Sequence, residues 1–221
     1  MRLEMEHVWR TYRVGDDDVV ALHDANVRIE SGELVAVVGP SGSGKSTFLQ
    51  LIGLLDSPTE GAVRFDGEDV GSLNDTARTR IRLRSLGFVF QRFHLLNHLT
   101  AIENVMLPLE AAGVGVDERY ERARALLTSV GLGERLPFRP AQLSGGQRQR
   151  VAVARAVANG PGVVLADEPT GELHTEDKER VLDLFRALNA QGRTVVIVTH
   201  DPDVAAGASR RIEIRDGSLG Q

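Results

Sequence analysis

The nine residues 39–47, GPSGSGKST, restrict the fold of this chain more than any other stretch. They follow LVAVV, an apolar run of strand length, and lead into KSTFLQLIGLL, whose apolar residues recur at helical spacing. A strand that passes through a glycine-rich loop into a helix can turn its backbone N–H groups onto an oligophosphate, because glycine permits an approach that any Cβ would block. The spacing fits G-x-x-x-x-G-K-[ST]. It assigns Gly39, Ser41, Gly42, Ser43, Gly44 and Thr47 to the phosphate cradle, Lys45 to the β- and γ-phosphates and Ser46 to Mg²⁺. A glycine-rich turn without a ligand is the competing reading, and the flanking strand and helix weigh against it.

The pattern on either side extends this unit. LEMEHVW and VVALHDANVRIE read as strands joined by a solvated acidic turn at residues 15–18. After the first helix come the strand AVRFDG, an Arg-rich helical stretch and the strand GFVF. From Leu99 to Gly131 the periodicity is helical: Thr100 and Glu103 form a capping box, Asp117 opens a second helix and Gly131 stops it. The strand VVLAD, a helix over 175–190 with Val181, Leu184, Phe185 and Leu188 on one face, and the strand TVVIVTH complete the pattern. Apolar strands without alternation predict a parallel sheet buried on both faces.

Asp167, at the end of the run Val163 to Ala166, stands where a parallel strand delivers an acid to a metal beside the phosphate loop. Glu168 follows directly, and a second carboxylate there can orient and deprotonate the water that attacks a γ-phosphate. An N-cap or a salt bridge is its alternative role. His200 closes TVVIVTH, so its imidazole is expected at the same edge of the sheet.

Composition narrows the function classes. The chain of 221 residues is 42% hydrophobic, enough for one sizeable core with a smaller lobe grafted onto it. Its 26 basic and 31 acidic residues leave a net charge of -5, which disfavours nucleic acid and anionic membrane surfaces as partners. There is no cysteine, so disulfides and thiolate metal sites are excluded. The N-terminal MRLEMEHVWR lacks the features of a secretion signal and no apolar run is long enough to span a bilayer; a cytoplasmic location is expected, with any membrane contact made through a partner.

The segment LSGGQRQRVAVARAVA, from Leu143 to Ala158, opens a helix with a serine and two glycines, the start of an anion site, yet it contains no lysine. With the phosphate loop and Asp167-Glu168 in this order, LSGGQ resembles the signature of ATP-binding cassette (ABC) proteins over essentially the whole chain. The resemblance implies an α/β fold: a P-loop NTPase core with a mainly parallel sheet, an antiparallel β lobe and an inserted α-helical lobe. Residues 1–221 are then one nucleotide-binding domain, with 1–98 and 160–221 forming core and β lobe and 99–159 the helical lobe. It also implies ATP and Mg²⁺ as cofactors, Gln91 as a glutamine that touches Mg²⁺ and senses the γ-phosphate, Tyr12 as the aromatic stacked on adenine and His200 as the switch histidine. Ser144, Gly145, Gly146 and Gln147 would serve the ATP of a second copy, so that two chains dock head to tail around two nucleotides.

The longer stretches GLLDSPTEGAVRFDG, GFVFQRFHLL and LTAIENVMLPL resemble the branch of macrolide-export (MacB), lipoprotein-release (LolD) and division-linked (FtsE) ATPases. That branch implies a separate membrane permease as partner, a position on the inner face of the membrane and export, lipoprotein release or mechanotransmission as the work done. A soluble ABC ATPase acting on nucleic acid or the ribosome is the alternative; the chain has neither the long coiled coils nor the doubled cassette expected there. His94 and His98, four residues apart, lack the intervening acid of a zinc helix and fall where the family places its membrane-subunit contact. Phe93, Leu95 and Leu96 read equally as core or as docking surface. One departure stands out: His174 occupies the position at which the family usually ends a loop with aspartate. Imidazole offers fewer acceptors and titrates near neutral pH, which puts coupling between two sites in question; loss of a helix cap, with Thr175 as substitute, is the alternative consequence.

Overall fold

Strand chemistry divides the chain into two sheets. In the computed structural model, which describes residues 1–220, the order begins β1 (Leu3–Val14), β2 (Asp17–Ile29), β3 (Leu34–Val38), α1 (Lys45–Ile52), β4 (Glu60–Phe65) and β5 (Glu68–Asp69). It continues α2 (Asp75–Ser85), β6 (Leu86–Phe90), α3 (Ala101–Ala111), α4 (Val116–Ser129) and α5 (Gly145–Ala156). The last elements are β7 (Val163–Asp167), α6 (Thr175–Ala190), β8 (Thr194–Val198), α7 (Pro202–Ala206), β9 (Arg210–Arg215) and β10 (Ser218–Gly220). The alternating strands β1, β2, β4 and β5 form an antiparallel sheet in the order β2-β1-β4-β5. The short apolar strands form a second sheet, β10-β9-β3-β8-β7-β6, parallel throughout except for β10.

The unbroken apolar character of β3, β7 and β8 has the expected cause, since the parallel sheet is covered on both faces. On one face Val35, Val37, Leu165 and Val196 share a cluster with Phe48 and Leu51 of α1 and with Leu3 and Leu22 of the antiparallel sheet. On the other, Val164, Ala166 and Ile197 pack on Val181, Leu182 and Phe185 of α6 and Val153 of α5. A third cluster joins Val105 and Leu109 of α3, Leu127 of α4 and Val151 of α5. No helix among the described residues is long and apolar enough to cross a membrane.

Register then decides what meets at the sheet edge. Asp167 lies opposite Phe90 of β6 and Val198 of β8, and Val37 is likewise opposite Val198. The strands therefore end nearly level, and the residues that follow them, Gln91, Glu168, Thr199 and the phosphate loop, emerge at one edge.

Local expectations fail in small ways. Helix α4 starts at Val116 with Gly115 as N-cap, one residue before Asp117, which with Glu118 instead supplies negative charge to the first turn. On α6 the buried face includes Leu182, and Leu184 is only partly buried because it packs where α5 and the helical cluster approach. The Thr100–Glu103 capping box forms as expected. No periodicity signalled Asn104, whose side chain is fully buried. Its Oδ1 accepts from Leu96 N–H at 2.8 Å, and its Nδ2 donates to the carbonyls of Leu96, Leu99 and Thr100 at 3.2, 3.3 and 2.9 Å, fastening the incoming loop onto α3. Asn104→Ala removes these four bonds, although the Leu96 and Thr100 carbonyls keep the backbone N–H groups of Leu99 and Asn104, and it is expected to lower unfolding stability by about 2 kcal/mol, read as a drop in the urea midpoint.

Candidate functional site

The loop between β3 and α1 is shaped by contacts that exclude side chains. A Cβ on Gly39 would sit 2.1 Å from the Ile214 carbonyl oxygen, and Gly44, the N-cap of α1, has φ of 107°. The loop faces a cavity of about 630 Å³ lined by Gly39, Pro40, Ser41, Gly42, Gly44, Lys45, Ser46 and Thr47, with Ala21, Asp167, Glu168, Val198 and His200 on the other walls. Lys45 Nζ donates to the carbonyls of Gly39 and Pro40 at 2.8 and 2.7 Å, so the ammonium is held over the cradle by the loop itself. Ser43 is buried beneath it.

Asp167 closes β7 within the cavity. Burial pushes its carboxyl above the ordinary value of 3.8, the neighbouring Glu168 adds to the rise, and Lys45 opposes it. A cation set against Asp167 would relieve this penalty. Among the described residues no group of three or more metal-ligating side chains occurs, so Asp167 and Ser46 could supply only part of a coordination shell. That donor set suits Mg²⁺, which takes few protein oxygens and fills the rest of its octahedron with phosphate and water.

Glu168 is held in an unusual backbone conformation. Its φ is 43°, in the left-handed region, which costs on the order of 1–3 kcal/mol in a residue with a Cβ. Its N–H donates to the Val198 carbonyl at 2.9 Å and its own carbonyl accepts from Gly171 N–H at 3.1 Å. The turn aims the carboxylate back over the sheet edge, where Oε1 accepts from His200 Nδ1–H at 2.7 Å and Oε2 from the Thr199 hydroxyl at 3.3 Å. The Glu168 side chain is 17% exposed and His200 73% exposed. His200 lies two residues beyond the end of β8, past the strand end where it was expected, and this extra reach brings it to Glu168. Thr199 escaped the sequence reading because a threonine beside a strand-end histidine carries no pattern of its own.

The other candidates lie outside the cavity lining. Gln91 is exposed just after β6, close to Gly171 in the loop after Glu168. Ser144 caps α5, accepting from Gln147 N–H at 3.2 Å, while Gln147 Oε1 accepts from Ser144 N–H at 2.9 Å. Gly146 packs closely on α6: a Cβ there would meet the Asp177 carboxyl group at 2.0 Å, so that side chain would have to move aside.

A family model described as ABC transporter matches residues 22–171, the span from β2 through the phosphate loop and signature to the loop after Glu168. This chain belongs to the ABC transporter family. It is 51% identical over 217 residues to macrolide export ATP-binding/permease protein MacB 1 of Yersinia pestis bv. Antiqua, covering 98% of this chain and 33% of that protein. It is 48% identical to the ABC transporter ATP-binding protein YknY of Bacillus subtilis, covering 98% of this chain and 94% of that one. The chain thus spans about a third of the length of the MacB relatives it matches and nearly all of YknY. The ATP-binding cassette MJ0796, in a dimeric post-hydrolysis structure bound to ADP and Pi, superposes with a TM-score of 0.92 at 44% identity, covering 99% of this chain and 97% of that one. The α/β fold with its two sheets and helical insertion is the ABC ATPase fold.

Within this ABC cassette, Tyr12 makes contacts of its own. Its hydroxyl donates to Asp56 at 2.8 Å, and the Arg10 guanidinium sits 4.4 Å from its ring centre while pairing with Asp56 at 2.9 Å. His174, exposed, is the N-cap of α6 and makes no capping bond through its side chain, and Thr175 lies inside the helix without replacing it as cap. Of the stretch after Gln91, Phe93 is buried, Leu95 is partly buried on the helical cluster, and His94, Leu96 and His98 are exposed.

The raised Asp167 value has a consequence for stability. The folded chain holds this proton more tightly than the unfolded one, so the penalty of ionising Asp167 is fully present above the raised value and absent below the ordinary 3.8. With chelator and no nucleotide, Asp167→Asn is expected to raise Tm at pH 7, with the gain shrinking as the pH falls and vanishing below the ordinary value of 3.8. An unchanged or lower Tm at pH 7 in calorimetric scans would count against the assigned cause.

Proposed function

We propose that this chain is an ATP-hydrolysing subunit that works as a head-to-tail pair and drives a membrane permease. The observation that carries the reading is the convergence of the phosphate loop, Asp167, Glu168 and His200 on one cavity. Lys45 exchanges its loop carbonyls for β- and γ-phosphate oxygens, and the loop N–H groups take the remaining charge. Ser46 and Asp167 hold Mg²⁺, with Gln91 adjacent to the loop that carries Glu168. Bound Mg²⁺ neutralises charge on the phosphates and orients them. Glu168 orients the attacking water and takes its proton, and His200 and Thr199 hold the carboxylate that does so. Tyr12 stacks on adenine once it leaves its present contacts.

Ser144, Gly145, Gly146 and Gln147 take no part in the chain's own cavity, which supports their service to a second copy's ATP. The Ser144 hydroxyl accepts from Gln147 N–H, leaving the N–H groups of Gly145 and Gly146 outside the capping pair at the positive end of α5. The permease is inferred from the MacB relatives, whose name joins ATP-binding to permease. An apolar groove of about 430 Å³, with Leu55, Leu83, Phe88, Phe90 and Pro108 among its walls, adjoins the exposed stretch after Gln91 and supports the same partner. Seated there, the cassette lies on the inner face of the membrane.

Glu168→Gln keeps the shape and loses the base. It is expected to bind ATP, to lose at least 100-fold in kcat, and to accumulate as an ATP-bound dimer in size-exclusion chromatography. Lys45→Ala is expected to abolish both nucleotide affinity and dimer. A Glu168→Gln protein that stays monomeric with ATP at micromolar concentration would sink the head-to-tail pair.

His174 offers a separate test. His174→Asp supplies two acceptor oxygens at the start of α6, where the imidazole makes no capping bond. ATP turnover is expected to rise, with nucleotide affinity nearly unchanged. Equal rates, with only a shifted Tm, would leave His174 as a helix-start residue.

A further inference from the structure

Gln149, in the second turn of α5, is fully buried although it is polar. Its Nε2 donates to the Pro169 carbonyl at 2.6 Å and, at the long limit of a hydrogen bond, to the Phe90 carbonyl at 3.4 Å. Pro169 directly follows Glu168, and Phe90 directly precedes Gln91. One carboxamide on the signature helix therefore touches the backbone beside each of two site residues carried by different strands.

The contact with Pro169 matters because of what proline lacks. With no N–H, Pro169 has its carbonyl as its only backbone hydrogen-bonding group, and Gln149 donates to it inside the protein. The preceding peptide belongs to Glu168, whose left-handed φ of 43° persists only while its surroundings over-determine it. The same helix also holds the other loop: Arg155 donates to the carbonyls of Phe93 and His94, both left-handed, and Arg148 lies 5.2 Å over the Phe93 ring. Helix α5 is thus the common support of the loops that carry Gln91 and Glu168.

Stability alone does not account for a glutamine here. Gln149 Oε1 is buried with no hydrogen-bond donor among the described residues. The cost of that acceptor offsets most of what the Nε2 bonds contribute.

We propose that Gln149 is a positioning residue for hydrolysis: its carboxamide ties the signature helix to the turn that aims Glu168, so that the seating of Ser144 and its neighbours on a second copy's nucleotide sets the geometry of the carboxylate. The inference deepens the hydrolytic reading of this cavity and rests on it. It requires no contact between Gln149 and nucleotide, only that a shift of α5 moves Pro169 and with it the Glu168 carboxylate.

The test is Gln149→Met, which keeps length and volume and removes the amide, assayed as the full chain with Mg-ATP. The expected result is a tenfold or greater fall in kcat, with KM and the affinity for a fluorescent ATP analogue within about threefold of the parent and Tm within a few degrees. The decisive comparison is with Glu168→Gln under single turnover: if Gln149 acts through Glu168, adding Gln149→Met to that variant lowers the residual rate less than twofold. Gln149→Glu at pH 8 presents an acceptor to the Pro169 carbonyl and lowers kcat further, which serves if the methionine variant does not fold. Unchanged kcat in either folded variant, or a loss that multiplies fully with Glu168→Gln, overturns the proposal and leaves the hydrolytic reading intact. A parent protein that binds but never hydrolyses ATP overturns both.

Discussion

The level ending of parallel strands is the constraint on which the site depends. Asp167 pairs across to Phe90 on one side and Val198 on the other, and β3 ends one residue beyond β8. Each strand is a short apolar rod clamped between two packed faces, so a slip of one residue would turn buried valines toward the wrong layer. The register that core packing enforces is therefore the register that brings Asp167, Glu168, His200 and the glycine-rich loop to one edge. Packing and chemistry share a cause here.

Strain accumulates where the strands stop. Glu168 carries a side chain in a backbone region that favours glycine, and Phe93 and His94 do the same in the loop after β6. All three are held by groups distant in the chain: Glu168 by Val198, Thr199 and His200, and the loop pair by Arg155. Such turns are maintained by their neighbours, so they respond when those neighbours move. A displacement of α5 acts on a support of this kind, since Arg155 moves with it.

The helical insertion is fastened to the core by buried and half-buried polar side chains as well as by apolar packing. Asn104 joins the incoming loop to α3, and Asn159 donates to the carbonyls of Leu83 and Pro108 at 3.0 and 2.9 Å, bridging the end of α2 to α3. Gln149 and Arg155 reach from α5 to loops of the sheet. Buried amides and guanidinium groups are directional, and a directional link transmits displacement where an apolar contact lets surfaces slide. Neither asparagine was marked by the sequence reading, because an amide among apolar neighbours gives no sign of which carbonyls it will meet.

Local chemistry alone determined the phosphate loop, the carboxylate pair at the end of β7, the capped signature helix and the parallel sheet. Each is a short-range consequence of glycine freedom, capping geometry or unbroken apolar runs. What only the tertiary structure decided is how those pieces bear on one another. That His200 reaches Glu168, that Asp177 of α6 lies against Gly146, and that Gln149 holds the Pro169 carbonyl all depend on strand register and helix docking. These contacts join residues 20 to 32 positions apart, distances over which the spacing of residues along the chain carries no geometric information until the sheet has formed.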